Sequence, residues 1–352
     1  MPLSERENYL RVAQFQGGEW IPMVFHINPA CWNAYSRSAL EDLMGSHPLL
    51  FPKFESGAEQ IVPTSDLTAI AAEPYTDPWG CLWRTTEDGI VGQVTRHPLS
   101  DWEEFESLPV PDPNCDFGRG PIDWAQEEKR IEDSKDRGIL TSGGLRHGHT
   151  FMTLCDIRGY ENLLADMADG EPRLFDLIRI VEDFNRAIVD RYVRMNVDVM
   201  AYPEDLGMQV GPMISPRFFK TYIKPSYQRL IAPARETGRL IHMHSDGDIR
   251  TLAEDLIEGG VRILNLQDRV NGIDWIRDNL AGRICIDLDI DRQRITAFGT
   301  PSEIDSLIRE EVEKLGSRRG GLTMIYGLYP GVPLDNVKAL MDAMERYAAY
   351  YS

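Results

Sequence analysis

Two histidines and an aspartate alternate along Arg239-Leu-Ile-His-Met-His-Ser-Asp-Gly-Asp248, where an apolar run breaks into an Asp-Gly turn. If residues 240–244 form a strand, its period of two places His242, His244 and Asp246 on one side. Two imidazoles and a carboxylate grouped in this way can hold a divalent metal or carry a proton. A lone histidine there would more often be a packed core residue, and Asp246 could simply cap the next helix. The three together favour function.

Similar groups recur wherever an apolar, strand-like run ends. His26 and Asn28 follow the run at 21–25, Arg146, His147 and His149 follow Gly143-Gly144, and Glu204 and Asp205 follow 197–201. Asn265, Gln267 and Asp268 continue the series, then Asp287, Asp289 and Asp291, then Tyr326 and Tyr329. In a parallel α/β fold these ends share one face, where catalysis usually sits. Each group also has a plainer reading. Glu204 and Asp205 can cap the following segment, the alternating aspartates can bond turn amides, and His26 can be a pocket wall. Cys285, inside an apolar strand, reads as core.

Strand ends presuppose strands. Residues 4–16 predict a helix opened by a Ser4/Glu7 capping box, and 21–25 a strand. A helical pattern over 39–54 is interrupted by Pro48 and Pro52. From residue 121 the rhythm is regular. It predicts a helix at 122–136, a strand at 138–141, short helices at 151–159 and 160–168, and a long helix at 171–196 opened by Pro172. A strand at 197–201 and a helix at 215–237 broken near Pro225 follow. Beyond the strand at 240–244, helices are expected at 249–258, 273–279, 302–315 and 333–350. Strands at 262–266, 283–286 and 322–325 alternate with them. Such alternation predicts parallel pairing under covering helices. With no Gly-x-Gly-x-x-Gly after the first strand, a closed (β/α)8 TIM-type barrel is favoured over a doubly wound sheet. Residues 55–120 differ: Asp77-Pro-Trp-Gly80 and Val91-Gly-Gln-Val94 predict short antiparallel strands, an N-terminal excursion able to form a lid. All 352 residues are read as one domain.

The net charge of −19 argues against nucleic acid or an anionic membrane as partner. No run nears the ~18 apolar residues a spanning helix needs, and residues 1–20 lack the apolar centre of a signal peptide. Cys31, Cys81, Cys115, Cys155 and Cys285 are dispersed, which fits free thiols. The expectation is a cytoplasmic enzyme.

Several segments resemble the uroporphyrinogen decarboxylase superfamily. They are His244-Ser-Asp-Gly-Asp248, Glu258-Gly-Gly-Val261 with Leu264-Asn265, Asp289-Ile-Asp-Arg-Gln293 with Gly299-Thr-Pro301, and Gly331-Val-Pro-Leu-Asp-Asn336. Arg158-Gly-Tyr-Glu-Asn-Leu-Leu164, Ser215-Pro-Arg-Phe-Phe219 and Asp77-Pro-Trp-Gly80 extend the similarity over nearly the whole chain. The resemblance implies a (β/α) barrel, a homodimer and one of two chemistries. One branch decarboxylates a porphyrinogen without cofactor, using arginines of an early segment to hold carboxylates. Here that stretch, Val24-Phe-His-Ile-Asn-Pro-Ala30, has no arginine, which counts against a polycarboxylate substrate. The other branch transfers methyl groups between a corrinoid protein and an acceptor at a zinc site with a His-x-Cys pair and a second cysteine near the last strand. His244-Ser-Asp246 keeps the histidine and puts a carboxylate in place of the thiolate, and no cysteine stands near Tyr326.

The resemblance therefore implies a methyltransferase-like enzyme that demethylates a small methoxylated compound onto a corrinoid protein. Zinc would be held by His244, Asp246, His242 or Glu204. His244, Asp246, Glu204 and Tyr326 are the expected catalytic residues, with Tyr326 donating to the leaving oxygen. His26, Asn28, His149, Gln267 and Asp289 are expected around the substrate. The competing readings are a cofactor-free decarboxylase or lyase of a smaller acid, and a noncatalytic binding barrel.

Overall fold

The computed structural model describes residues 3–55, 66–71 and 73–351, and ten strands lie among them. They are β1 (Met23–Ile27), β2 (Tyr75–Thr76), β3 (Leu82–Arg84), β4 (Gln93–Arg96) and β5 (Ser142–Gly144), followed by β6 (Val199–Pro203), β7 (Leu240–Ser245), β8 (Ile263–Gln267), β9 (Cys285–Asp289) and β10 (Leu322–Leu328). The chain divides into two units. One gathers the described residues up to 55 with 88–90 and those from 264 onward, and the other holds 66–87 and 91–263.

In the second unit β5, β6 and β7 run parallel, with Gly144 opposite Ala201 and Pro203 opposite His244. β5 falls later than the strand expected at 138–141. Thr141 stands just before it and ties to the entry of β6: Asp198 Oδ2 accepts its amide at 2.9 Å and hydroxyl at 3.0 Å, and its carbonyl accepts the Val199 amide at 3.1 Å. The two glycines that follow are the residues able to pack here. A Cβ on Gly143 would lie 2.1 Å from the Tyr192 ring, and one on Gly144 2.5 Å from the Ala201 carbonyl oxygen.

The helix Arg173–Arg194 follows Pro172 and buries Leu174, Leu177, Ile178, Val181, Phe184, Ile188 and Val189 along one stripe, as an amphipathic helix over a sheet must. The helix expected at 215–237 is divided. Pro216–Phe218 leads into a π turn at Phe219–Ile223, then Lys224–Glu236. Pro225 sits in the first turn of the last piece, where its missing N–H costs nothing, so the irregularity lies just before it.

Of the region expected as an excursion, residues 56–65 and 72 lie outside the described residues. β2, β3 and β4 form an antiparallel sheet with Tyr75 opposite Trp83. Asp77 ties its first turn together, accepting from the Trp79 and Cys81 amides and the Trp83 indole at 3.0, 2.9 and 2.7 Å.

The first unit carries strands in the order β1-β10-β9-β8, with β1, β10 and β9 parallel. Helices Glu5–Ala13 and Leu334–Ala348 pack on β10 and β1. At the first, the Ser4 hydroxyl accepts the Glu7 amide at 3.2 Å. Pro301–Leu315 starts from a full capping box between Thr300 and Glu303. The two units together hold seven such strands among the described residues, one fewer than a (β/α)8 barrel requires. The fold is α/β, with largely parallel strands flanked by helices. No helix among the described residues is long and apolar enough to cross a membrane.

Candidate metal centre

The register of the second unit decides which loop residues meet. The Glu204 amide donates to the His244 carbonyl at 3.0 Å and the Gly148 amide to the Pro203 carbonyl at 2.9 Å. The chain therefore leaves β5, β6 and β7 side by side. Past β6 and β7 the backbones touch at Gly207 and Gly247, where the Gly207 amide donates to the Asp246 carbonyl at 3.1 Å. Asp205 and Asp246 are thereby held against each other, and the Asp246 amide donates to Asp205 Oδ1 at 3.0 Å.

That same Oδ1 lies 3.3 Å from His147 Nε2 and 3.4 Å from His244 Nε2, while Asp246 Oδ1 lies 3.7 Å from His244 Nε2. The two imidazole rings are tilted by 51° with centroids 5.4 Å apart. His147, Asp205 and His244 each offer one ligand atom, all within 4.8 Å of one another. Zinc bonds to nitrogen and oxygen of about 2.0–2.1 Å, arranged tetrahedrally, separate neighbouring ligand atoms by roughly 3.3–3.4 Å. The donor set fits such an ion in chemistry, and the two separations between Asp205 and the imidazoles match it. Burial alone would raise the Asp205 carboxyl, but the hydrogen bonds and charge of His147 and His244 outweigh it and hold Asp205 well below the usual carboxylate range. All four side chains remain part-exposed, so a small molecule can reach them.

The neighbouring expected residues occupy different positions. Glu204 is fully buried. Its Oε2 accepts from the Thr150 and Phe151 amides (2.9 Å each) and the Tyr227 hydroxyl (2.7 Å), and its Oε1 accepts from the Met152 amide (2.9 Å). It thereby anchors the start of helix Phe151–Arg158. Burial pushes its carboxyl up, and the four donors work against that shift. His149 is buried beside Tyr202 and Tyr227, and its Nδ1 is 2.6 Å from Thr150 Oγ1. Burial, aided by Arg146 and His147, pushes its pKa down to about 3, so it is neutral. His242 is part-exposed and in register with Ala201.

The remaining expected residues belong to the first unit. His26 is exposed on β1, yet its neighbours desolvate it enough to lower its pKa, against the pull of Asp287. Asn28 Oδ1 accepts the Ala30 amide at 2.8 Å. Gln267 ends β8, and its carbonyl accepts from the Asn271 side chain at 2.9 Å. Asp289 Oδ2 pairs with Arg292 at 2.7 Å. Tyr326 is fully buried against Phe25, its hydroxyl 3.3 Å from Thr296 Oγ1, and burial pushes its pKa up to about 12. A cavity of about 770 Å³ in this unit is lined by Trp20, Ile21, Met23, Leu49 and Met344 and holds no histidine.

Comparison with known proteins agrees with this geometry at the level of fold. The family model "Uroporphyrinogen decarboxylase (URO-D)" matches residues 75–347. The chain belongs to the uroporphyrinogen decarboxylase family. Among curated family members, the uroporphyrinogen decarboxylase of Thermus thermophilus is 26% identical over 185 residues, 51% of each chain. That of Homo sapiens is 22% identical over 180 residues, 49% of this chain and 47% of its own. The chain thus spans about half the length of the curated relatives it matches. A solved methyltransferase from Methanosarcina mazei is similar over 99% of both chains, with a TM-score of 0.65 at 18% identity. For this uroporphyrinogen decarboxylase family member, the likeness establishes the fold and leaves the reaction to the site.

His147 and Asp205 stand in the sequence series of strand-end residues, but outside the expected ligand set of His244, Asp246, His242 and Glu204. The available signal was position. His147 and Asp205 each stand at a strand end next to residues of the expected set, His149 and Glu204.

Proposed function

We propose that this family member is a methyltransferase-like enzyme. Its His147–Asp205–His244 centre, with Asp246 beside it, binds zinc and serves to demethylate a small methoxylated compound, with a corrinoid protein as methyl acceptor. One observation carries the reading: two imidazole nitrogens converge on one carboxylate oxygen, each at the distance that neighbouring ligands of a tetrahedral ion keep, and all three atoms lie within 4.8 Å of one another. A zinc ion held by nitrogen and oxygen supplies Lewis acidity suited to an oxygen leaving group. The chain's own share is orientation and charge. Asp205 Oδ1 gathers the Nε2 atoms of both imidazoles and the Asp246 amide around one point, so both rings already face the position a shared ion would take. Breaking a methyl–oxygen bond leaves the bonding pair on oxygen. With Nε2 of His147 and His244 turned to the ion, these residues would hold zinc beside that oxygen, and the ion's charge would stabilise it. Glu204 acts through the backbone by holding the helix after His149.

A second reading is favoured by the family match itself, since the curated relatives are decarboxylases. In it the same imidazoles, without metal, deliver a proton to the carbon that keeps the bonding pair as carbon dioxide leaves. The two separate in one experiment. Purified protein is incubated with methoxybenzoates and a reduced corrinoid protein, with and without prior chelation, while methylated corrinoid and carbon dioxide are followed. Methyl transfer abolished by chelation is the expected result. Carbon dioxide release by metal-free protein, with no methyl transfer, would replace the first reading with the second.

A further inference from the structure

Arg119 holds an unusual position for a charged side chain. Its guanidinium lies over the Trp83 ring, 4.5 Å from the centroid, and the side chain is only 12% exposed. A guanidinium carries five N–H donors, yet no described residue accepts a hydrogen bond from it, and its Nε is fully enclosed. The nearest anion, Asp156 Oδ2, is 3.9 Å from Nη2, beyond hydrogen-bond reach. Burying a cation without hydrogen bonds is costly, and burial together with the neighbouring Arg146 lowers its pKa to about 10, leaving it charged near neutrality.

Arg146 approaches the same carboxyl. Its Nη2 lies 3.8 Å from the same Asp156 oxygen, which has no hydrogen-bond partner. Its Nη2 donates to Thr153 Oγ1 at 2.6 Å and its Nη1 to the His147 carbonyl at 3.1 Å. The Gly118 backbone lies against it, where a Cβ would sit 3.1 Å from Arg146 Nε. Two guanidinia therefore flank one loosely held carboxyl, and the second is tied directly to the backbone of a residue of the metal centre. The other nearby acids are already engaged: Asp77 by three donors, Asp66 by the Thr68 amide and hydroxyl, and Asp116 by the Gly118 amide.

We propose that Arg119 and Arg146 form a subsite for a carboxylate of the ligand, with the unused donors of Arg119 making the bonds. That this ligand is the substrate rests on the reading of His147, Asp205 and His244 as the reacting centre. The subsite itself does not. A singly charged carboxylate suits it better than a phosphate dianion, because Asp156, Asp77 and Asp116 all lie within the field of Arg146.

The test is calorimetric titration of the full chain with sodium benzoate, the uncharged benzamide and inorganic phosphate. Wild type, Arg119→Gln, Arg119→Lys and Asp205→Asn are compared, with melting temperature recorded for each. Benzoate is expected to bind saturably, with benzamide and phosphate weaker by about tenfold or more, and R119Q to weaken benzoate by a similar factor. R119K, which keeps the charge but not the fork, should fall between, and it serves as the readout if R119Q does not fold. Benzoate binding retained in D205N, with zinc binding lost, means the subsite stands independently of the metal centre. Benzoate binding absent from wild type, equal for benzamide, surpassed by phosphate or unchanged in both Arg119 variants overturns the proposal and leaves Arg119 as a packing residue on Trp83.

Discussion

Gly207 and Gly247 meet backbone to backbone: a Cβ on Gly207 would lie 2.4 Å from the Gly247 carbonyl carbon, 2.5 Å from the Asp248 amide nitrogen and 2.7 Å from the Asp246 carbonyl oxygen. No side-chain rotation can relieve contacts with backbone atoms, so any larger residue must push the two loops apart. Those loops carry Asp205 and Asp246. Gly207→Ala is expected to cost about 1–3 kcal/mol of stability and to weaken zinc binding as well, because Asp205 moves away from His244. Urea unfolding and a zinc titration of the same variant check both effects. Unchanged zinc affinity in a destabilised variant would mean that the loop contact does not set the centre.

Glu204 is expected to act through stability. Its oxygens accept four hydrogen bonds, so Glu204→Gln must turn an amide N–H₂ towards at least one donor. The expected loss is about 1–3 kcal/mol, the cost of a buried polar group left unmatched. It should appear in urea unfolding, together with faster hydrogen exchange at the amides of Thr150, Phe151 and Met152. A stable variant with normal exchange and no turnover would instead give Glu204 a direct part in the chemistry.

Asp156 supplies a pH signature. Burial lifts its carboxyl to about 6, against the influence of Arg146 and Arg119, whereas an unfolded aspartate titrates near ~3.9. Between these values the folded protein keeps a proton that the unfolded chain has released. The stability contributed is therefore whole below pH of about 4 and is lost as the pH rises through about 6, amounting to roughly 2–3 kcal/mol. Asp156→Asn, which mimics the protonated form, should remove this component. Unfolding free energies at pH 4 and pH 7 in the two proteins check it. Parallel profiles for wild type and variant would show that Asp156 is not shifted.

Where a residue's role follows from local periodicity, it was legible in the sequence. β7 begins at Leu240, and helix Ile273–Asn279 has the expected bounds, because apolar alternation and helical spacing are strong there. His244 follows from the same parity. Other features depend on contacts between segments far apart in the chain. β5 lies at Ser142–Gly144, where Gly143 and Gly144 meet Tyr192 and Ala201, residues about fifty positions on or more. His147 leaves a strand of glycines with no period to read, and the Leu145–Ala201 and Gly148–Pro203 hydrogen bonds bring it towards Asp205. Glu204 and Asp205 are alike in charge and adjacent in sequence. The amides of helix Phe151–Arg158 separate them by claiming the first.

The central claim is that His147, Asp205 and His244 are the ligands of one zinc ion. It is tested most directly by crystals of the zinc-loaded protein, with anomalous difference maps calculated from data on either side of the zinc absorption edge. The account predicts one strong peak per chain, bonded at about 2.0–2.2 Å to His147 Nε2, His244 Nε2 and Asp205, and absent from crystals of Asp205→Asn. No peak at these residues, or a peak held by His242 and Glu204 without His147, would contradict it.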